Sequence, residues 1–508
     1  MSTTKKDNRI LLTDDPSAYD RREFLQLAGV GTAGMFAQKF TPAPMVEAPK
    51  PRAGSPAHVV VIGAGAWGGW TAYYLRRAGV KVTLVDQYGP ANSRATSADE
   101  TRGIRSSYGD RTEAIAPLWV KWARTSIARW HEFDAEWGPV FRTRFFVETG
   151  DVICRAADEP FVTKTRELWT KLGVKHEVMT GDEVRKRWPQ MNNDDTTIAI
   201  YEPDAGVARA RASTLAVAAI AEKMGATIRI GRVRPGSIVN NQMDGVVFDD
   251  GSVLRGDAYV FACGAWLRKI FQPLMTNRMR VPLGYVCYFA TPAGDTRFTY
   301  PNMPSYNFPG VTGWVTLPVD SRGFRVRGAI APPAPPGATP APGAAGPAGR
   351  AGGAGNTGTA GATGAAGAQA TTGAAGAAGG QGQRQGGGGG GQAQPQDPTL
   401  SDPDLSSRWM SQERIDGSRR FVARRFPDLK DAPLSETRAC HYESSVNRNF
   451  IIDHVPGADN AWIAGVGQAE GFKFGPVVGE YVAMRVLGNA GDPELVKAFK
   501  MPTEEYET

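Results

Sequence analysis

From His58 the chain reads HVVVIGAGAWGGWTAYYLRRAGVKVTLVD, and its polar and apolar positions change rhythm twice before Asp86. His58 to Ile62 is an uninterrupted run, the pattern of a parallel strand buried on both faces. A glycine-broken turn follows, and Trp70 to Ala78 continues as a helix. Lys81 to Val85 forms a second strand that ends at Asp86. Strand followed by glycine returns at DAYVFACGAW, Asp257 to Trp266, preceded by the hairpin signal FDDGSVLRGD. It returns again at Asn460 to Gly488, as strand, Gly-rich turn and helix. Between Thr112 and Phe133, Ile115, Leu118, Trp119, Trp122, Ile127 and Trp130 recur at helical spacing, which predicts a helix with its tryptophans in the core.

The glycines of the first turn carry chemistry. Gly63, Gly65 and Gly68 stand in G-x-G-x-x-G order. The first permits a tight turn, the second lets a pyrophosphate approach the backbone, and the third lets helix and strand pack closely. The helix N-terminus offers N–H groups and a positive dipole end to phosphate. Asp86 falls near the ~20-residue spacing at which an acidic side chain takes ribose hydroxyls. Together these features predict an adenine dinucleotide. A nicotinamide dehydrogenase usually completes its cofactor domain in one continuous stretch, whereas here the pieces are spread along the chain, as in flavoproteins.

Two segments lie outside this pattern. The N-terminus contains DRREFLQLAGVGTAGMF, paired Arg21 and Arg22 before a short Ala/Gly-rich apolar run. That run falls short of the roughly 20 residues a bilayer span needs and reads as a twin-arginine export signal. The expected location is therefore periplasmic or otherwise extracytoplasmic, with the twin-arginine machinery as a partner and no integral membrane anchor. Residues 332–398 are almost wholly Gly, Ala, Pro, Gln and Thr, too poor in large apolar side chains to offset the entropy of ordering, and read as a disordered insert. The rest is long enough for two sizeable cores. The net charge of +7 comes from dispersed Lys and Arg, without a basic stripe interleaved with aromatics, so nucleic acid is not an expected partner. The four cysteines, Cys154, Cys263, Cys287 and Cys440, lack CxxC spacing, so neither a metal cluster nor a disulfide framework is expected.

Several segments, taken in order, resemble the monomeric sarcosine oxidase group of the D-amino-acid-oxidase (DAO) flavoprotein superfamily. They are TSADETRGIRSSYGD from Thr96, GDEVRKRWPQM from Gly181, AIYEPDAGV from Ala199, ACHYESSVNRNFIIDHVP from Ala439 and GFKFGPVVGE from Gly471. The resemblance implies an α/β, two-domain fold: a Rossmann-like FAD-binding domain of discontinuous segments and an antiparallel-sheet substrate domain. On this reading residues 1–56 are leader, 57–138, 205–270 and 438–490 build the FAD domain, 139–204 and 271–437 the substrate domain, and 491–508 a tail.

The resemblance also implies roles. FAD is the cofactor, and Cys440, in the family's Cys-x-Tyr segment, is the site of a thioether to the flavin's 8-methyl carbon. A thiolate is the attacking form, which Arg438 or His441 would favour. Thr101 and Arg102 lie against the flavin, while Val233, Gly264, Trp266, Gly471 and Phe472 complete its site with the three glycines and Asp86. Arg105 and Lys473 pair with a substrate carboxylate, and Tyr442 faces the substrate. The implied reaction takes a hydride equivalent from the carbon beside a substrate nitrogen, giving an imine that water hydrolyses. Oxygen is the implied acceptor, with peroxide released. A quinone or carrier protein is the alternative acceptor, and a non-catalytic FAD-binding interaction protein is the alternative of another class.

Three departures bear on the substrate. Arg325 aligns with the family lysine that helps reduced flavin react with oxygen, Ala329 with one family histidine and Glu470 with another. Glu470 beside Lys473 either neutralises it or receives a cationic substrate group. Sarcosine is therefore not itself implied.

Overall fold

The computed structural model describes residues 49–318, 322–331 and 398–506. The twin-arginine stretch and residues 332–397 of the insert lie outside the described residues. Two large sheets organise the rest.

The first sheet has six strands, in the order Ile451–Val455, Ala458–Gly465, Ala258–Phe261, His58–Ile62, Lys81–Asp86 and Thr227–Ile230. All neighbours run parallel except the Ile451–Val455 and Ala458–Gly465 hairpin. Val59, Val60 and Val61 are fully buried, as their unbroken apolar run predicts. Helix Ala66–Arg77 packs between helices Gly475–Val486 and Ala210–Lys223 on one face. Strands from both ends of the sequence are needed to finish this sheet, which is the discontinuous dinucleotide fold expected.

The second sheet has eight strands: Leu434–His441, Leu283–Phe289, Phe324–Gly328, Val311–Gly313, Ser305–Phe308, Asp151–Arg155, Ile198–Glu202 and Glu177–Met179. It is antiparallel apart from the Ser305–Phe308 and Asp151–Arg155 pair. A small antiparallel sheet of Thr101–Ile104, Gly206–Arg209 and Phe146–Val147 also forms, and its strands come from both halves of the fold. Cys440 pairs across from Gly284 in the eight-stranded sheet. The expected boundary at residue 438 therefore cuts a strand, because its ladder partner is Leu283–Phe289 and not a strand of the dinucleotide sheet.

The tryptophan-rich helix runs over Ala116–Phe141, beyond the predicted end at Phe133, and stops on Arg142 in the left-handed conformation. Trp119, Trp122, Ile127 and Trp130 are buried. This helix also shapes the site, because Trp130 Nε1 donates to the Lys473 carbonyl at 3.2 Å and Ser126 Oγ donates to the same oxygen. Among the described residues no helix is long and apolar enough to cross a membrane.

Candidate active site

The G-x-G-x-x-G turn closes with no space to spare. The Gly63 amide donates to the Val85 carbonyl at 2.7 Å, and its φ is +103°. A Cβ at Gly63 would lie 2.3 Å from the Ala262 oxygen, and one at Gly68 would lie 1.8 Å from the Gly63 oxygen. Side chains at these positions would force strand and helix apart. Gly65 caps helix Ala66–Arg77 without a side-chain hydrogen bond, leaving the first-turn N–H groups available for phosphate. Asp86 accepts from the Ala64 amide at 2.7 Å and from the Tyr88 and Gly89 amides at 2.9 and 2.8 Å, so it orders the turn as well as facing the cavity.

A cavity of about 500 Å³ starts at this turn. Gly63, Gly65, Asp86, Val233, Gly264 and Trp266 line it, as do Arg102, Arg105, Glu470, Gly471, Phe472 and Lys473. Gly68, Thr101, Arg325, Cys440 and Tyr442 are not on its wall. Gly68 acts in the helix–strand contact. Thr101 is buried in the small linking sheet.

Arg102 is held firmly. Its guanidinium donates to the Thr96 carbonyl at 2.7 Å and the Thr101 carbonyl at 3.0 Å, and it pairs with Asp99. Asp99 is fully buried, receives the Tyr288 hydroxyl at 3.1 Å, and lies 3.5 Å from Arg325. Burial would raise its pKa, but the Arg102 and Arg325 charges hold it well below the usual carboxylate range. Arg325 is itself buried. It lies 5.3 Å from the Trp314 ring centre, and among the described residues its Nε and Nη1 have no hydrogen-bond partner.

Arg105 and Lys473 share an anion from the protein itself. Glu470 Oε1 lies 3.5 Å from Arg105 Nη2, and Glu470 Oε2 accepts from Lys473 Nζ, which also donates to the Tyr108 hydroxyl at 3.0 Å. Asp151 approaches Arg105 Nε at 3.9 Å. Burial opposes ionisation of Glu470, yet Lys473 and Arg105 outweigh it and keep the carboxyl well below its ordinary range. In the described fold Glu470 is paired with both Lys473 and Arg105.

Cys440 is half-buried, within electrostatic reach of Arg102 and Arg408. The expected helpers are otherwise engaged. His441 is buried and bonded through Nε2 to the Leu400 carbonyl at 2.8 Å, and burial lowers its pKa, which favours the neutral ring. Arg438 donates to Glu436 at 2.6 Å. Arg102 and Arg408, both distant in sequence, are brought near this thiol by the fold.

Comparison with known proteins decides the family. A family model described as DAO, FAD dependent oxidoreductase, matches residues 58–485. The chain belongs to the DAO family of FAD-dependent oxidoreductases. It is 30% identical to monomeric sarcosine oxidase of Bacillus sp. over 218 residues, 42% of this chain and 53% of that protein. The match thus spans about half the length of that relative. It is 23% identical to N-methyl-L-tryptophan oxidase of Salmonella dublin over 450 residues, covering 86% of this chain and 96% of that one. Among solved structures, L-proline dehydrogenase from P. horikoshii superposes with a TM-score of 0.63 at 19% identity, covering 88% and 97% of the two chains. Fructosamine oxidase from Aspergillus fumigatus gives 0.62 at 18% identity, covering 88% and 89%. These two likenesses concern the fold.

The residues present fit FAD, since the glycine turn leaves backbone where a Cβ would clash and the cavity continues from it to the charged cluster. This DAO-family site also contains wall residues that no local pattern announced: Trp314, Arg327, Asp404 and Glu443. Asp404 joins Trp266 Nε1 at 2.7 Å, the Tyr88 hydroxyl at 2.8 Å and Lys269 at 2.6 Å. Glu443 is buried, accepting from the Gly467 amide at 3.3 Å with Thr96 Oγ1 at 3.5 Å. The only signal for it was its place three residues after Cys440.

Burial pushes the Glu443 carboxyl from 4.5 up to about 7, against these hydrogen bonds. The folded protein therefore holds this proton more tightly than the unfolded chain does. Its contribution to stability falls as pH rises from 4.5 to about 7 and stays low above that. That difference corresponds to roughly 3 kcal/mol at most. Glu443→Gln is expected to be more stable than the parent at pH 8, with the gap closing as pH falls toward 4.5. Urea unfolding midpoints across that range test this, and a gap independent of pH would contradict it.

Proposed function

We propose that this DAO-family chain oxidises the carbon–nitrogen bond of a secondary amine or amino acid to an imine, with oxygen as acceptor and hydrogen peroxide as product. One observation carries the reading: a single cavity runs from a dinucleotide-binding turn to a buried cluster of Arg105, Glu470 and Lys473. Relatives named for sarcosine, N-methyl-L-tryptophan, fructosamine and proline support an amine as the substrate class. Bound FAD would supply the acceptance of a hydride equivalent. The turn of Gly63, Gly65 and Gly68 with the N-terminus of helix Ala66–Arg77 would hold its pyrophosphate.

The chain's own residues account for the rest. Arg102, fixed by Asp99 and two carbonyls, is a rigid positive group on the cavity wall. The turn Gly471–Phe474 leads directly into helix Gly475–Val486, whose positive end favours negative charge developing nearby. Trp130 and Ser126 pin the Lys473 backbone, so the Glu470–Lys473 pair is positioned by the core.

A second reading, a dehydrogenase passing electrons to a quinone or carrier protein, is favoured by Arg325. It stands where the family's oxygen-reactive lysine aligns, but it is tied to Asp99 and lies against Trp314. Anaerobic mixing with sarcosine, N-methyl-L-tryptophan, L-proline and a fructosyl amine tests both. Loss of the visible flavin band with at least one of them is expected, and no bleaching by any would contradict the proposal. Rapid recovery in air then marks an oxidase, and slow recovery marks a dehydrogenase. Export by the twin-arginine route is proposed on the leader sequence alone.

A further inference from the structure

Arg102, Arg105 and Lys473 line the charged end of the cavity together with Arg327, Arg325 lies off its wall, and all of these except Arg327 are matched by a carboxylate of the protein. Arg102 and Arg325 share Asp99, while Arg105 and Lys473 share Glu470, with Asp151 close to Arg105. Arg327 differs. It lies on strand Phe324–Gly328 two residues after Arg325, so both side chains leave the same face of the sheet. Arg327 lines the cavity, and its guanidinium lies over the Tyr442 ring, 5.9 Å from the ring centre. Among the described residues no carboxylate forms an ion pair with it.

We propose that Arg327 is the anchor for an anionic group of the substrate, a carboxylate or similar planar oxyanion. This rests on the reading of the chain as an amine oxidoreductase and deepens it to an amine that carries an acid. Arginine does not escape a poorly solvated site by losing its proton. Burial and the neighbouring Arg325 and Arg102 charges disfavour its charged form, opposed by Tyr442 and Glu470. A cation left in that position is compensated when a ligand brings the counter-charge. The planar fork of a guanidinium matches both oxygens of a carboxylate. Arg105 and Lys473, the pair that the family resemblance assigns to this task, already hold Glu470. The substrate's acid group is thereby directed to the Arg327 side of the cavity.

The test uses the flavin-loaded protein, titrated with acetate and benzoate while the visible flavin spectrum is followed. Saturable perturbation is expected in the parent. Arg327→Gln should weaken binding by about 10- to 100-fold, the loss of a hydrogen bond to a charged group, and Arg327→Lys should recover part of it. The unliganded spectrum and flavin content of both variants should match the parent. In turnover, Arg327→Gln should reduce the preference for L-proline over pyrrolidine, and for sarcosine over dimethylamine, by a similar factor. Benzoate and acetate affinities unchanged in Arg327→Gln, or neither anion binding the parent, would overturn the proposal. Arg327-dependent anion binding in a protein whose flavin no amine reduces would instead overturn the amine reading and leave the anion site standing.

Discussion

Glu470→Ala is expected to destabilise the protein by about 3–5 kcal/mol, the range for breaking a buried ion pair by removing one partner. Lys473 is 2% exposed and Arg105 7%, so neither can recover its hydration when Glu470 is lost. Asp151, 3.9 Å from Arg105, compensates that side in part, but Lys473 keeps only the Tyr108 hydroxyl. The loss should depend on pH. In the parent, the depressed Glu470 carboxyl contributes stability above its unfolded value of 4.5 and loses it as pH falls through the folded value. In the variant, burial without a counter-charge drives Lys473 toward its neutral form, so the destabilisation should be larger at pH 6 than at pH 9. Urea unfolding of parent, Glu470→Ala and Glu470→Gln at these pH values measures it. A variant as stable as the parent would show that Glu470 does not balance the two cations.

The same pair shows where sequence reading stops. Gly63, Gly65 and Gly68 were legible because their task is local: turn, approach and packing all occur within six residues of chain. The Trp119 to Trp130 helix was legible from its spacing, and its ends were not: it begins at Ala116 and runs on to Phe141, where the left-handed Arg142 closes it. The partners of the buried charges were not legible. Arg105 meets Glu470 and Asp99 meets Arg325 across hundreds of residues, and no periodicity encodes which acid finds which base. The stretch RGFRVRG alternates charged and apolar positions like a half-solvated strand. In the fold its charged face turns inward, with Arg325 against Trp314 and Arg327 toward the cavity. Cys440 was picked out by resemblance, while its placement on the eight-stranded sheet follows from a ladder with Leu283–Phe289, a long-range pairing.

Cys440→Ala carries the other large effect. Cys440 is a half-buried thiol on a strand that ends beside the cavity-lining Glu443, within reach of the Arg102 and Arg408 charges. We propose that this sulfur holds the flavin through a thioether. Removing it should release the cofactor on denaturation without collapsing the fold, because a small half-buried side chain contributes little to packing. The glycine turn and the cavity walls would remain to bind FAD reversibly, so Cys440→Ala should still be yellow when native.

Acid precipitation of the protein, purified without added cofactor, tests the central claim that these separated segments enclose a flavin. The parent should give a yellow pellet, and Cys440→Ala a colourless pellet with the flavin in the supernatant. A natively folded parent with no flavin in either fraction would contradict the account.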